Sequence, residues 1–174
     1  MIGWYFSTGV LGHGDGRPVV VGETHEVEGP LELCHRGLHA SERVIDALRY
    51  APGAMLYKVE LSGDIVRGDD KACATRRAYL AWVDATEILR AFARRCALDV
   101  AHLWDAPAVV LEYLKTGDEA LRDAADAAAW AAADAAAWAA VWAAVWAAAG
   151  AAAGDEQNRV LTEMVESALL GARC

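Results

Sequence analysis

The sequence predicts an α+β protein in two parts: a small β-rich domain over residues 1–83 with one helix, then an all-α, Ala/Trp-rich helical bundle over 84–174. Three observations predict this. Short runs of β-branched and aromatic residues, parted by Gly, Pro and Asp, fill the first half. From Asp84 the apolar spacing changes from two to three and four. The charge divides at the same point: 9 basic against 11 acidic residues before it, a net of −2, and 7 against 14 after it, a net of −7.

Met1–Thr8 reads as a short aromatic strand, and Val10–Arg17 as a Gly-rich loop. Val19–Val21 with Thr24–Val27 reads as a strand or hairpin, turned by Glu28-Gly29-Pro30, and Leu31–Cys34 alternates as a further strand. Ser41 is placed as N-cap of a helix over about 42–50 that buries Val44, Ile45 and Leu48 and stops at Pro52-Gly53. Ala54–Leu61 alternates as a strand, Asp64–Val66 as a short one, Gly68-Asp69-Asp70 is turn chemistry, and Ala74–Val83 fits strand or helix.

In the helical half, Asp84 to Glu87 resembles a capping box, and Leu89, Phe92, Cys96, Val100 and Leu103 form one stripe. A second helix starts at Asp105-Ala106-Pro107 and stops at Thr116-Gly117, and Asp118-Glu119 opens the next. In the Ala-rich run, Asp126, Trp130, Asp134, Trp138, Trp142, Trp146, Gly150 and Gly154 stand four apart. Each such step advances ~40° beyond a full helical turn, so the row winds around its helix, whether the run is one helix or two broken near Gly150. A final amphipathic helix carries Val160, Leu161, Met164, Val165, Ala168 and Leu169 and ends at Gly171.

Composition excludes several classes. With a net charge of −9 and no basic residue between Arg122 and Arg159, neither half suits nucleic acid. Ala135–Gly154 is uncharged, but its Trp residues sit mid-span and its flanks are acidic, which favours a packed helix over a membrane span. Cys34, Cys73, Cys96 and Cys174 show no paired spacing and nothing at the N-terminus reads as a signal peptide, so free thiols in the cytoplasm are expected.

Motifs along residues 20–80 carry a resemblance. Gly22-Glu-Thr-His-Glu-Val-Glu-Gly29, Cys34-His-Arg-Gly-Leu-His-Ala-Ser41, Tyr57-Lys-Val-Glu-Leu-Ser-Gly63 and Gly68-Asp-Asp-Lys71 resemble an uncharacterised phage and bacterial domain with the signature G-K-T-Y, C-x-x-G-F-H-A-C, V-E-x-S-G and D-x-K. Ser41 stands where that family often has a second Cys. Residues 86–146, with Phe92-Ala-Arg-Arg-Cys-Ala97 and Leu103-Trp104, resemble an Ala/Trp-rich helical immunity-protein group, which implies binding without catalysis. Gly37-Leu-His-Ala-Ser41, a helix ending in Tyr50 and a strand ending Val59-Glu-Leu-Ser-Gly63 are similar to the middle of the ADP-ribosyltransferase fold. That likeness implies His39 stacking on nicotinamide with Tyr50 opposite. No late strand supplies the catalytic Glu.

These readings name His39, Ser41 and Tyr50 as ligand-binding candidates, with helix-start N–H groups near Ser41 suited to a phosphate or carboxylate. Trp130, Trp138, Trp142 and Trp146 are the candidate oligomer interface. Cys34, His35 and His39, with His25 and Cys73 further off, do not make a closed metal site, and no metal or cofactor is expected. The glycines of Gly12–Gly16 lack the lysine and context of a phosphate loop. The expected function is a non-enzymatic binding protein of phage or mobile-element type, a homo-oligomer acting in immunity or counter-defence on a protein partner or a nucleotide-like ligand. The alternative is an enzyme processing NAD or a nucleotide.

Overall fold

The computed structural model describes residues 1–12, 15–135 and 151–171. The side chains of 130–135 and 151–153 fall outside that description, and so therefore do the proposed interface residues Trp130, Trp138, Trp142 and Trp146. The chain is mixed α+β, with a five-stranded antiparallel sheet first and helices after it. Contacts group it into one unit of Met1–Glu87 with Asn158–Cys174 and another of Ile88–Gln157. The sequence division at 83/84 follows chain order, whereas by contacts the end of the last helix belongs with the sheet.

Strands β1 (Ile2–Ser7), β2 (Thr24–Glu26), β3 (Leu38–Ala40), β4 (Met55–Arg67) and β5 (Ala72–Asp84) run in the order β1-β4-β5-β2, with β3 also paired to β5. The segments read as Ala54–Leu61 and Asp64–Val66 are one strand, β4, whose register shifts between Ser62 and Ile65. Ala74–Val83, open between strand and helix, is strand, because it forms the centre of the sheet with partners on both sides. Val19–Val21 and Leu31–Cys34 are not strands. Among them only Glu32 makes a ladder contact, an isolated bridge to Arg36 across a tight turn. Val20 and Val21 are exposed, and Leu31 and Leu33 are half-buried.

The sheet curls back on itself. Trp4 N–H donates to Ser41 O at 2.7 Å and Ser41 N–H to Trp4 O at 3.0 Å, so the path β1-β4-β5-β3 returns to β1. Glycine at position 3 permits this approach, since a Cβ there would lie 2.8 Å from the Ser41 carbonyl oxygen. The same bridge corrects the expected cap. With its backbone committed to Trp4, Ser41 cannot start a helix, and α1 spans only Val44–Leu48 with no side-chain cap.

The two faces of the sheet differ in chemistry. Register places Tyr5, Tyr57, Val59, Tyr79 and Arg77 inside the curl. Trp4 and Lys58, paired across β1 and β4, face the other way, with the ammonium 5.3 Å from the indole centroid. Against that outer face lies the end of α5 (Ala151–Gly171), where Lys58 pairs with Glu166 at 3.1 Å and Asn158 Oδ1 accepts from Ile45 N–H at 3.2 Å. Val160, Leu161, Val165 and Leu169 are its buried stripe, and each of the four contributes ~1.5–3 kcal/mol of apolar burial.

After the sheet, α2 (Thr86–Asp99) begins where Asp84 Oδ1 accepts from Thr86 N–H at 2.9 Å. Phe92 is buried, but Leu103, expected on the same stripe, is exposed because the α-helix ends at Asp99. α3 (Ala108–Thr116) stops at left-handed Gly117, and Asp118 Oδ1 caps the turn into α4 (Arg122–Ala135). No described helix is long and apolar enough to cross a membrane.

Candidate functional site

A cavity of about 830 Å³ opens within the sheet unit between β1, the 34–41 segment and Arg77. Its walls include Trp4, Tyr5, Phe6 and Leu38. Arg77 lines it while only 2% exposed. Strand alternation on β5 puts Arg77 and Tyr79 on the inner face, and direct pairing with His25 on β2 fixes their neighbour.

The partners of the guanidinium are neutral. Nε and Nη2 donate to the Tyr79 hydroxyl at 3.0 and 2.8 Å, Nη1 donates to the His39 carbonyl at 2.5 Å, and the group lies 3.6 Å above the Tyr5 ring centroid. A guanidinium has five N–H donors, so one on each terminal nitrogen is left over by these bonds. Among the described residues no carboxylate lies within ion-pair distance of it. Withdrawing a cation from water costs several kcal/mol, which ring faces and neutral acceptors offset only in part. An anion entering the cavity would complete the compensation.

Behind Arg77, Tyr79 and His25 share a 2.9 Å hydrogen bond. Burial pushes the Tyr79 hydroxyl up in pKa, with the Arg77 charge opposing. Burial also lowers the His25 imidazole, and the charges of Arg17 and Arg77 add to the effect. His25 is therefore the neutral end of a chain running from Arg77 through Tyr79.

All three ligand-binding candidates named from the sequence line this cavity. His39 is held at both ends: its carbonyl accepts from Arg77, and its Nε2 accepts from Cys34 N–H at 3.0 Å. The latter bond holds Cys34 at φ +70°, a conformation that few non-glycine residues adopt. Ser41 is buried with its backbone in the bridge to Trp4. Tyr50 stands at the exposed rim, where its hydroxyl donates to Asp70 at 2.6 Å and the Lys71 ammonium sits 3.8 Å from its ring centroid. Partial burial works to lower the Lys71 ammonium, but hydrogen bonding with Cys34 and Tyr50 outweighs it and holds the group above its ordinary pKa.

The anion-binding feature expected at a helix start is not what the cavity offers. α1 is five residues long, and Ile45 N–H is taken by Asn158. The buried cation is Arg77, which the sequence reading passed over. Its signal was an arginine two residues before a tyrosine on an alternating strand, obscured while Ala74–Val83 stood open between strand and helix. Asp15, the one carboxylate among the described lining residues, is gripped by Arg17 through both oxygens at 2.7 Å, which holds its pKa at about 2. Among the described residues no group of three or more His, Cys, Asp or Glu is placed to hold a metal ion.

No curated protein and no solved structure matches the chain significantly. Residues 17–91, which supply β2 to β5, the Arg77 network and most of the cavity, match the model of a family described as a domain of unknown function, DUF7666.

Proposed function

We propose that the sheet unit binds a small anionic, ring-bearing molecule of nucleotide kind and does not transform it. The observation that carries this reading is Arg77, a guanidinium 2% exposed in an aromatic-walled cavity with neutral partners alone. A phosphate or carboxylate suits its two remaining donors, and a flat ring suits the Tyr5 side of the cavity. Binding is favoured over turnover because Asp15 has both oxygens on Arg17. The acidic helical half would serve association, with another copy or with a partner protein, and service in immunity or counter-defence belongs to the same proposal.

Calorimetric titration with AMP, GMP, CMP and UMP beside the corresponding nucleosides tests the reading. At least one nucleotide is expected to bind ten-fold or more tightly than its nucleoside. Equal binding of the two, or no binding of either, overturns it. Light scattering at micromolar concentration tests association, with a monomer mass counting against it.

A second reading, nucleotide processing, is favoured by one observation: His39 and Tyr50 line the same cavity, where the transferase-like resemblance places a ligand. Release of nicotinamide from NAD by the purified protein would support it, and an intact NAD pool after prolonged incubation would not.

A further inference from the structure

The hydrogen bonds behind Arg77 admit one arrangement. The Tyr79 oxygen accepts from both Nε and Nη2 of Arg77, which uses its two lone pairs. Its own proton must then go to His25 Nδ1, 2.9 Å away, leaving His25 neutral with its proton on Nε2. A proton added at Nδ1 would present a third donor to the same oxygen and would turn the Tyr79 hydroxyl proton away toward another acceptor. Arg77 would have to release one of its N–H groups, and two cations would stand at directly paired positions of β2 and β5.

An anion at Arg77 relieves both difficulties. It accepts the released N–H, and it offsets the repulsion between guanidinium and imidazolium. The other charges facing His25 are Arg17, which opposes protonation, and Asp15 and Glu23, which favour it. Asp15 is committed to Arg17, and the Glu26–Arg76 pair at 3.0 Å is exposed on the opposite side of the two strands. Arg77 is thus the neighbouring charge that a bound anion alters most.

We infer that His25 is a positioning residue that couples anion binding at Arg77 to the uptake of one proton, so that the cavity holds its anion more tightly as pH falls below neutrality. This rests on the binding reading above. The same coupling acts in reverse, since a bound anion raises the proton affinity of His25 by the factor that the proton raises anion affinity.

The probe is benzenesulfonate, a flat ring with a charge that does not titrate near neutrality. Its affinity, measured by calorimetry from about pH 8 to about pH 5.5, is expected to rise at least about three-fold, with one proton setting a limit of ten-fold per pH unit. His25→Asn is expected to flatten the profile. That variant also separates His25 from His35 and His39, the imidazoles among the described residues that line the cavity. In the unaltered protein, NMR titration of the His25 ring is expected to show its midpoint moving up when benzenesulfonate saturates the site, a readout that needs no variant to fold. Measurable binding with a flat profile, or a slope that persists in His25→Asn, overturns the coupling and leaves the binding reading standing. Absence of binding by benzenesulfonate and nucleotides at every pH overturns both.

Discussion

The inner and outer faces of one sheet follow different rules. On the outer side, Lys58 pairs with Glu166 near the surface, and the end of α5 contributes Val160, Leu161, Val165 and Leu169 to an aliphatic layer. On the inner side, Tyr5, Tyr57, Tyr79, His25 and Arg77 form a polar and aromatic chain, with Tyr57 and Tyr79 edge to face at 5.7 Å. The first layer can be large and apolar because nothing has to enter it. The second keeps a cation out of water with neutral partners, an arrangement that by itself contributes little to stability. Both faces hold buried core, since Val59 and Leu61 join Tyr57 and Tyr79 inside the curl, but only the inner face carries a buried cation.

Truncation on the outer face should separate the two most sharply. Leu161→Ala, at a fully buried position of α5, is expected to cost about 2–5 kcal/mol in denaturant unfolding while leaving the affinity of the folded protein for its ligand unchanged. Gly3→Ala sets a Cβ against the Ser41 carbonyl and strains the bridge that closes the curl, at an expected cost of about 1–3 kcal/mol. Here binding should weaken too, because Trp4 and Ser41 line the cavity that the bridge shapes.

What the sequence made legible follows the range of the interactions involved. β1, the start of β4, the Asp84 cap and the Gly117 stop depend on residues close in the chain, and all were read. The role of Ser41 was misread because the local pattern of a cap is the same whether or not Trp4, 37 positions away, claims the backbone. Arg77 was missed for a similar reason. The Arg77–Tyr79 spacing on an alternating strand is its one local signal and does not by itself tell a buried guanidinium from a solvated one, since Tyr5 and His39 reach it only through the closed sheet. His39 and Tyr50 were singled out by their setting, and they line the cavity without being its buried charge.

The inner face should also carry a pH signature. The folded state depresses His25 below its ordinary value of 6.5, so below about that pH the unfolded chain binds more protons than the folded one. The stability that His25 contributes is present above 6.5 and is lost as pH falls through that value toward the folded pKa. Urea unfolding at a series of pH values should show this decline, and His25→Asn should reduce it.

The smallest effect is expected at the rim. Tyr50→Phe removes the hydroxyl that meets Asp70 but leaves the ring under Lys71, and at an exposed position this should cost no more than about 1 kcal/mol. A loss of several kcal/mol would show that rim and base are not distinct environments.

The central claim, that Arg77 is kept for a ligand's charge and not for the fold, is tested most directly by Arg77→Met. Methionine approximates the volume of the arginine stem and removes the charge. Thermal melting and nucleotide titration of the same preparation should show a melting temperature that holds or rises, together with at least a ten-fold loss of affinity. Unchanged affinity, or a melting temperature that collapses with the charge, would contradict the account.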